Sequence, residues 1–313
     1  MSNPGKQTAN RTKNQNKQAW LGAVLKGLIV FFSWLPLRWN QALGTFIGTL
    51  LWWIPNSNKR VSQKNIAVAF PELTQQEQRR LVKRSLIHLG QVTTELGPAW
   101  CWPQSKLLPL IKEVEGQELL DQAREQHKGV LLLAPHIGAW EVNGMYTSTT
   151  QSSTFLYRPP NIPSVESFMV EARSRYGAKL APTDMRGVRY LVKALKAQQL
   201  SAILPDQDPG KKGGVYAPFF GRPARTMTLV SKLIQKSDCA FLFVVMERLP
   251  KGQGYRLHVL PAEDEVASED ETLAAAALNR GVEACIRIAP EQYLWSYKRY
   301  RKPPAGVEDI YKS

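Results

Sequence analysis

The sequence predicts an α/β fold: a mainly parallel, mixed sheet flanked by helices, behind an N-terminal apolar helical membrane anchor. Three observations carry this. From residue 111 onward, short apolar runs alternate with amphipathic stretches of helical period. Two tryptophan-rich apolar runs precede residue 70. Positive charge gathers at the same end: no Asp or Glu occurs before Glu72, and the first 71 residues carry nine Lys or Arg of a net charge of +15. A basic, apolar end suits an anionic membrane surface. Nucleic acid, the other partner of basic chains, is set aside because no nucleic-acid motif occurs and such binding does not call for long apolar runs.

Residues 1–18 are polar, basic and free of large apolar side chains, which predicts a disordered tail. Residues 19–70 read as the anchor. Its apolar runs, 19–36 and 42–54, are each shorter than the ~20 residues of a perpendicular span. Lys26 interrupts the first, and Trp20, Trp34, Trp39, Trp52 and Trp53 sit at the ends of the runs, as in an interfacial belt. Two arrangements fit: one tilted span followed by an interfacial helix, or a helical pair dipping into one leaflet. A buried hairpin of a soluble protein is the plain alternative. Basic residues on both flanks keep both ends on the cytoplasmic side.

The main domain covers 71–302, with 303–313 as a C-terminal tail. Thr74 and Glu77 form a capping-box pattern. The helix they open carries Val82, Leu86, Leu89 and Leu96 and is expected to end near Gly97-Pro98. Strands are expected at 111–114, 130–134, 154–157, 179–182, 200–204, 240–248 and 255–260, the last two as an antiparallel hairpin. Helices are expected at 115–126, from 139, and at 163–176, 184–199, 226–236 and 268–289. The stretch 205–225 reads as a long loop, a length that is usually functional. Cys101, Cys239 and Cys285 are widely spaced in apolar surroundings and read as packing residues, making neither a metal pattern nor a disulfide framework.

In an open α/β sheet the site lies at carboxyl ends of strands. The first such end holds His136 and, five residues on, Glu141, at a strand–turn–helix junction. An imidazole base with a carboxylate to orient it fits that spacing. The spacing recurs at His258 and Glu263, but there it lies in an alternating strand and an acidic loop, so that copy is taken as accidental. Other strand ends bring Arg158, then Asp206 and Gln207. Arg222 and Arg225 flank the next helix. Arg158 is read either as a binder of a phosphate or developing charge, or as a surface ion pair. Asp206 and Gln207 shape a binding site or simply a turn, and Arg222 and Arg225 meet a phosphate or protein partner or only solvent.

Together, His136 with Glu141, Tyr157-Arg158, Leu204-Pro-Asp206-Gln207 and Pro218-Phe-Phe-Gly221 with Thr226 and Thr228 resemble the lipid A late acyltransferases, the lauroyl and myristoyl transferases of the glycerolipid acyltransferase-like superfamily. The block from Arg60 to Asn65 with Phe70-Pro-Glu72, and that from Pro290 to Arg299, resemble the family's flanking blocks, so the resemblance covers about residues 20–302. Many superfamily members carry Asp where Glu141 stands.

The resemblance implies an inner-membrane enzyme with its site facing the cytoplasm. It would move a fatty acyl chain from acyl carrier protein to a hydroxyl of a lipid A precursor of the Kdo-lipid IVA type, without metal or cofactor. His136 would act as general base and Glu141 as its orienting carboxylate, with backbone N–H groups at the following helix start receiving the oxyanion. Since no Ser or Cys stands where an acyl-enzyme needs one, direct transfer is expected. Arg158, Asp206, Gln207, Arg222 and Arg225 would serve substrate binding. An acyl-CoA donor, another membrane-lipid acceptor, and a non-catalytic membrane-binding assembly role on the same fold remain open.

Overall fold

The computed structural model describes residues 4–160, 162–210 and 213–312, with only the backbone for 4–17. Helix α1 (Pro4–Trp34) begins inside the stretch expected to be a disordered tail, which is therefore helical from Pro4; residues 1–3 lie outside the described residues. Pro36 breaks the chain into α2 (Leu37–Trp53), and α3 (Ser57–Ala69) follows under an Asn56 cap that accepts from Lys59 N–H. Helix α4 (Gln75–Cys101) opens on the expected capping box of Thr74 and Glu77.

This helix does not stop at Gly97-Pro98; Pro98 lies inside it. A proline there removes the N–H that would meet the carbonyl four residues back. That carbonyl, Thr94 O, is taken by Asn40 Nδ2 at 2.9 Å. The second proton of the same amide takes Phe32 O at 2.9 Å, the carbonyl four residues before Pro36. One buried asparagine on α2 thus satisfies acceptors left open by two prolines, and the helix continues.

Glycines let α2 lie backbone-to-backbone on α4. A Cβ on Gly44 would come 2.5 Å from Gln91 Cα, and one on Gly90 would come 2.1 Å from Gly44 O. Among the described residues no helix is long and apolar enough to cross a membrane, which corrects the expected tilted span. The first two helices instead pack on α4 through Ile29, Leu37 and Trp52, which are buried. Their outer faces leave Trp20, Trp34, Trp39 and Trp53 65–73% exposed, beside Leu28, Phe31, Phe46 and Ile54.

Beyond the short helix α5 (Gln104–Leu107) the α/β alternation runs β1 (Ile111–Glu115), α6 (Gln117–Glu125), β2 (Val130–Leu133), α7 (Trp140–Thr150), β3 (Thr154–Tyr157), α8 (Glu166–Ser174), β4 (Lys179–Pro182), α9 (Met185–Lys196) and β5 (Leu200–Ile203). Strands β6 (Gly214–Phe219) and β7 (Arg222–Met227) then precede α10 (Leu229–Ser237), β8 (Ala240–Arg248), β9 (Tyr255–Pro261) and α11 (Glu271–Ile288). The stretch expected as a long loop is therefore largely a hairpin. Its two-residue turn, Phe220-Gly221, has φ of 46° and 71°, which matches the right-handed twist of the strands.

The main sheet has the order β1-β9-β8-β2-β5. It is mixed, with β8 and β9 as the expected antiparallel hairpin, but it is not mainly parallel. Strands β8, β2 and β5 form one parallel block, β1 and β9 another, and the two meet antiparallel at β8–β9. The β8–β9 turn reverses the chain without a crossover helix, so β9 and β1 run the other way. A second parallel pair, β3–β4, touches β5 through a bridge from Ser153 to Leu200. Strand β2 is buried on both faces. Leu131 and Leu133 join a core with Phe243, Leu191, Leu233 and Leu278, whereas Val130 and Leu132 join one with Leu242, Val244, Val142 and Met145. The carboxyl ends of β2, β5 and β8 all open at the same edge.

Replacing Gly90 with leucine should force α2 off α4 and cost about 1–3 kcal/mol in urea unfolding. An unchanged midpoint would mean that the two backbones are not in contact.

Candidate active site

Pro135 ends β2, and His136 follows at the mouth of the sheet. Its partner is not Glu141. Asp206, two residues beyond Leu204 at the end of β5, places Oδ1 2.8 Å from His136 Nδ1 and accepts from His136 N–H on Oδ2 at 3.3 Å. The parallel pairing of β2 with β5 sets these two strand ends side by side. Burial raises the pKa of the Asp206 carboxyl, but the adjoining imidazole and its hydrogen bonds outweigh that and hold it below the usual range. A carboxylate on Nδ1 fixes the tautomer with its proton there, leaving Nε2 as the unprotonated acceptor. Gln207 Nε2 lies 3.2 Å from Nε2, and the Trp140 ring meets the imidazole edge-on at 5.2 Å between centroids.

Glu141 turns the other way. One residue into α7, it accepts from Trp100 Nε1 at 2.9 Å and from Arg173 Nη2 at 2.5 Å and Nε at 3.2 Å. Burial pushes its pKa up; the Arg173 guanidinium and the Trp100 indole more than reverse this, and the field of His136 adds to them. Glu141 is therefore an ionised neighbour of the imidazole rather than its hydrogen-bonded orienter. Neither Trp100 nor Arg173 stood out in the sequence. Arg173 follows buried Met169 and Ala172 on α8, and an arginine beside a buried stripe was the available signal.

The turn carrying His136 is held at every peptide. Ile137 N–H reaches Pro135 O at 2.7 Å, Gly138 N–H reaches Gln292 O at 3.0 Å, Ala139 N–H reaches Met246 O at 2.8 Å, and His136 O accepts from Leu294 N–H at 3.0 Å. Gly138 has φ +61°, and a Cβ there would lie 2.0 Å from Met246 O, so only glycine fits. With those donors engaged, the backbone N–H groups still available are those of Trp140, Glu141 and Val142 in the first turn of α7, whose N-cap Ala139 makes no side-chain cap.

Behind the turn lies a buried ion pair. Arg248 and Glu95 have side chains 1% and 4% exposed and meet through two hydrogen bonds of 2.7 and 2.8 Å. Arg248 Nη2 also donates to Gly138 O at 3.2 Å, and Gln41 Nε2 donates to Glu95 at 3.0 Å. His88 Nδ1 accepts from Arg248 Nη1 at 3.1 Å; burial, with Arg248 and Arg84 nearby, pushes its pKa down to about 3, so it stays neutral there. Both flanking sequence blocks meet on the same side, where Asn65 Nδ2 donates to Trp295 O and Tyr297 O at 2.7 Å each.

An apolar cavity of about 100 Å³, partly open to solvent, begins beside His136 at Ala134 and Trp140. It runs between α7, α8 and β3–β5, past Phe155, Leu156, Leu180 and Leu204, with Glu141 and Arg173 on its wall.

The other expected site residues lie apart from this cluster. Arg158 is exposed at the end of β3 without a partner among the described residues. Arg222 donates to Glu308 O, and Arg225 donates to Tyr216 Oη at 2.5 Å and lies over its ring, so both are engaged within the hairpin and the C-terminal segment. His258 lies in β9 between Glu115 and Glu247, at 2.7 and 2.9 Å, while Glu263 pairs with Arg280.

Comparison with known proteins gives this geometry a family. The family model described as bacterial lipid A biosynthesis acyltransferase matches residues 5–302. The chain belongs to that family. The acyltransferase is 33% identical to the lipid A biosynthesis palmitoleoyltransferase of Escherichia coli (strain K12) over 288 residues, 91% of this chain and 93% of that one. With the lipid A biosynthesis lauroyltransferase of the same organism it shares 30% over 293 residues, 93% and 94% of the two chains. With the myristoyltransferase it shares 24% over 304 residues, 94% and 91%.

Arg248→Met should leave Glu95 charged and buried without a partner in this acyltransferase, costing about 3–5 kcal/mol. The double variant Glu95→Leu/Arg248→Met should recover most of that loss in a denaturation series. A single and a double variant of equal stability would contradict the pairing.

Proposed function

We propose that this acyltransferase moves a fatty acyl chain from the thioester of acyl carrier protein to a hydroxyl on the Kdo-lipid IVA type of lipid A precursor. The observation that carries the reading is the imidazole with a carboxylate on Nδ1 and an unprotonated Nε2 met by the Gln207 amide, beside an apolar cavity. A secondary alcohol is a weak nucleophile at neutral pH. His136 Nε2 takes its proton as the oxygen attacks the thioester carbonyl, Asp206 stabilises the imidazolium that forms, and Glu141 adds a second negative charge nearby. The new C–O bond forms, the C–S bond breaks, and the proton on Nε2 passes to the departing thiolate. Trp140, Glu141 and Val142 N–H groups supply the developing oxyanion. The local chain from Pro135 to Glu141 offers no Ser or Cys for an acyl-enzyme, which favours direct transfer.

The relatives are named for lipid A biosynthesis, which supports the acceptor. The carrier-protein donor rests on the family resemblance and on the basic charge of a chain that would meet an acidic protein. Arg158, exposed and unpaired among the described residues, suits an acceptor phosphate, and Gln207 positions the attacking oxygen beside Nε2. The exposed tryptophan-rich faces of α1 and α2 lie in the interface of one leaflet of the inner membrane, with the site on its cytoplasmic side.

His136→Ala and Asp206→Asn should each lower transfer about 10²–10⁴-fold while the protein stays folded. Full activity in His136→Ala would remove the mechanism. Mass spectrometry of lipid A from cells with and without the protein should differ by one acyl chain, and an unchanged lipid A would point to another acceptor. In flotation with anionic vesicles the full chain should rise with the lipid. Serine at Trp20, Trp34 and Trp53 should leave most of it behind; equal flotation of both proteins would sink the leaflet placement.

A further inference from the structure

The outer face of α9 is basic and bare. Arg186, Arg189, Lys193 and Lys196 follow one another at three, four and three residues, which lines them up along one side of the helix. All four are exposed, and no Asp or Glu stands within α9. Arg186 pairs with the helix cap, Asp184, at 3.1 Å; among the described residues no carboxylate pairs with Arg189, Lys193 or Lys196. Beside these charges Met185 and Tyr190 are 69% and 60% exposed. Lys179 adds a further exposed cation at a groove between α9 and β4, lined by Pro182, Tyr190 and Lys193. Like charges aligned on one helix face repel one another, and a covering anionic surface would relieve that.

The stripe begins at the edge that holds His136. Strands β2, β5, β3 and β4 run side by side and parallel, so their carboxyl ends share that edge. His136 stands three residues beyond β2, and Met185 three beyond β4. Three strand spacings put about 14 Å between them along the edge. Leu180 of β4 lines both the groove and the cavity beside His136. Helix α9 also lies away from α1. Leu191 and Leu195 pack on one side of the sheet with Leu233 and Phe243, whereas Met145 of α7 and Met169 of α8 pack on the other with Ile29 of α1. Different cations, Lys59 and Arg79, stand over the Trp52 ring at the end of α2, next to exposed Trp53. That placement suits a partner in solution for α9 rather than a lipid surface. We infer that the outer face of α9 is where the donor's protein docks. Carboxylates of a small acidic protein meet Arg186, Arg189, Lys193 and Lys196, Met185 and Tyr190 take an apolar contact, and the thioester arm reaches along the strand ends to His136. This inference rests on the carrier-protein reading of the donor and adds the docking surface to it.

The test uses the full-length enzyme in detergent with lipid A precursor and two donors: the dodecanoyl thioester of acyl carrier protein, and that of pantetheine, which lacks the acidic protein. The wild type should have the higher kcat/KM on the carrier thioester, with a fall as salt rises that the pantetheine thioester does not share. Arg189→Glu/Lys193→Glu should lower the ratio of the two kcat/KM values about tenfold or more and flatten its salt dependence. Arg80→Glu/Lys83→Glu makes the same charge change at exposed positions of α4 and should move the ratio less than about twofold, since screening confines the effect to nearby charges. An unchanged ratio in the α9 variant overturns the docking face; if that variant also loses flotation with anionic vesicles, the stripe belongs to the membrane. An equal fall in both variants overturns it too, by assigning the effect to net charge. A wild type that transfers from both thioesters without preference removes the carrier-protein donor and this inference with it. Transfer from neither by folded enzyme sinks the acyl-transfer reading itself.

Discussion

The buried pair of Glu95 and Arg248 is the constraint on which the site depends. Two charges taken out of water are costly unless every remaining donor and acceptor is met. Here Gln41, the neutral His88 and Gly138 O meet them, and these groups come from α2, α4 and the turn after β2. The pair therefore has one acceptable geometry, and that geometry places the Gly138 peptide. Gln292 reinforces it by receiving Gly138 N–H on its carbonyl while its side chain brackets the Arg248 backbone. A turn with all its peptides held presents the imidazole at one angle, which the proposed general-base role would need more than proximity alone.

The two buried carboxylates near His136 divide the work because they are held by different partners. Among the described residues no Lys or Arg pairs with Asp206, so its charge is directed at His136 Nδ1. Glu141 is bound by a guanidinium and an indole, and its oxygens have no freedom to turn toward the ring. Were Glu141 to orient the histidine, Arg173 would be left half-buried beside the cavity without its anion. The observed pairing leaves neither charge uncompensated.

The alternation from residue 111 made most of the strands and helices legible, since a buried strand and an amphipathic helix write different periods. The antiparallel β8–β9 hairpin was legible too; that it splits the sheet into two opposed blocks was not, because strand order is set by which neighbours pair and not by any one strand's composition. The 205–225 hairpin hid behind a turn of Phe220-Gly221, in which a phenylalanine takes the positive φ usually left to asparagine or glycine. Within the site, His136, Asp206 and Gln207 could be named from strand ends. Their pairing could not: Glu141 is nearer in sequence, and the register of β2 with β5 is what brings Asp206 to the ring. The membrane-span reading failed for a related reason. Gly44, Gly48 and Gly90 bring α2 against a helix of the main domain, and hydrophobic runs alone do not distinguish that contact from lipid.

The apolar exterior and the cavity are not independent features. Helix α1 meets the segment before α8 closely enough that a Cβ on Gly22 would strike Ser164 Oγ at 1.9 Å, and Lys26 holds its ammonium 5.5 Å from the Phe168 ring. Phe168 packs on Trp100 at 6.0 Å, and Trp100 donates to Glu141. A continuous set of contacts thus joins the exposed tryptophan face to the wall of the cavity through α8. On the proposed reading, a fatty chain entering that cavity and a lipid acceptor arriving from a bilayer would both need an apolar approach, and packing α1 on α8 would place the two approaches next to each other. The polar groups are then gathered at the strand ends, where Asp206 and the held turn fix His136 beside the apolar cavity.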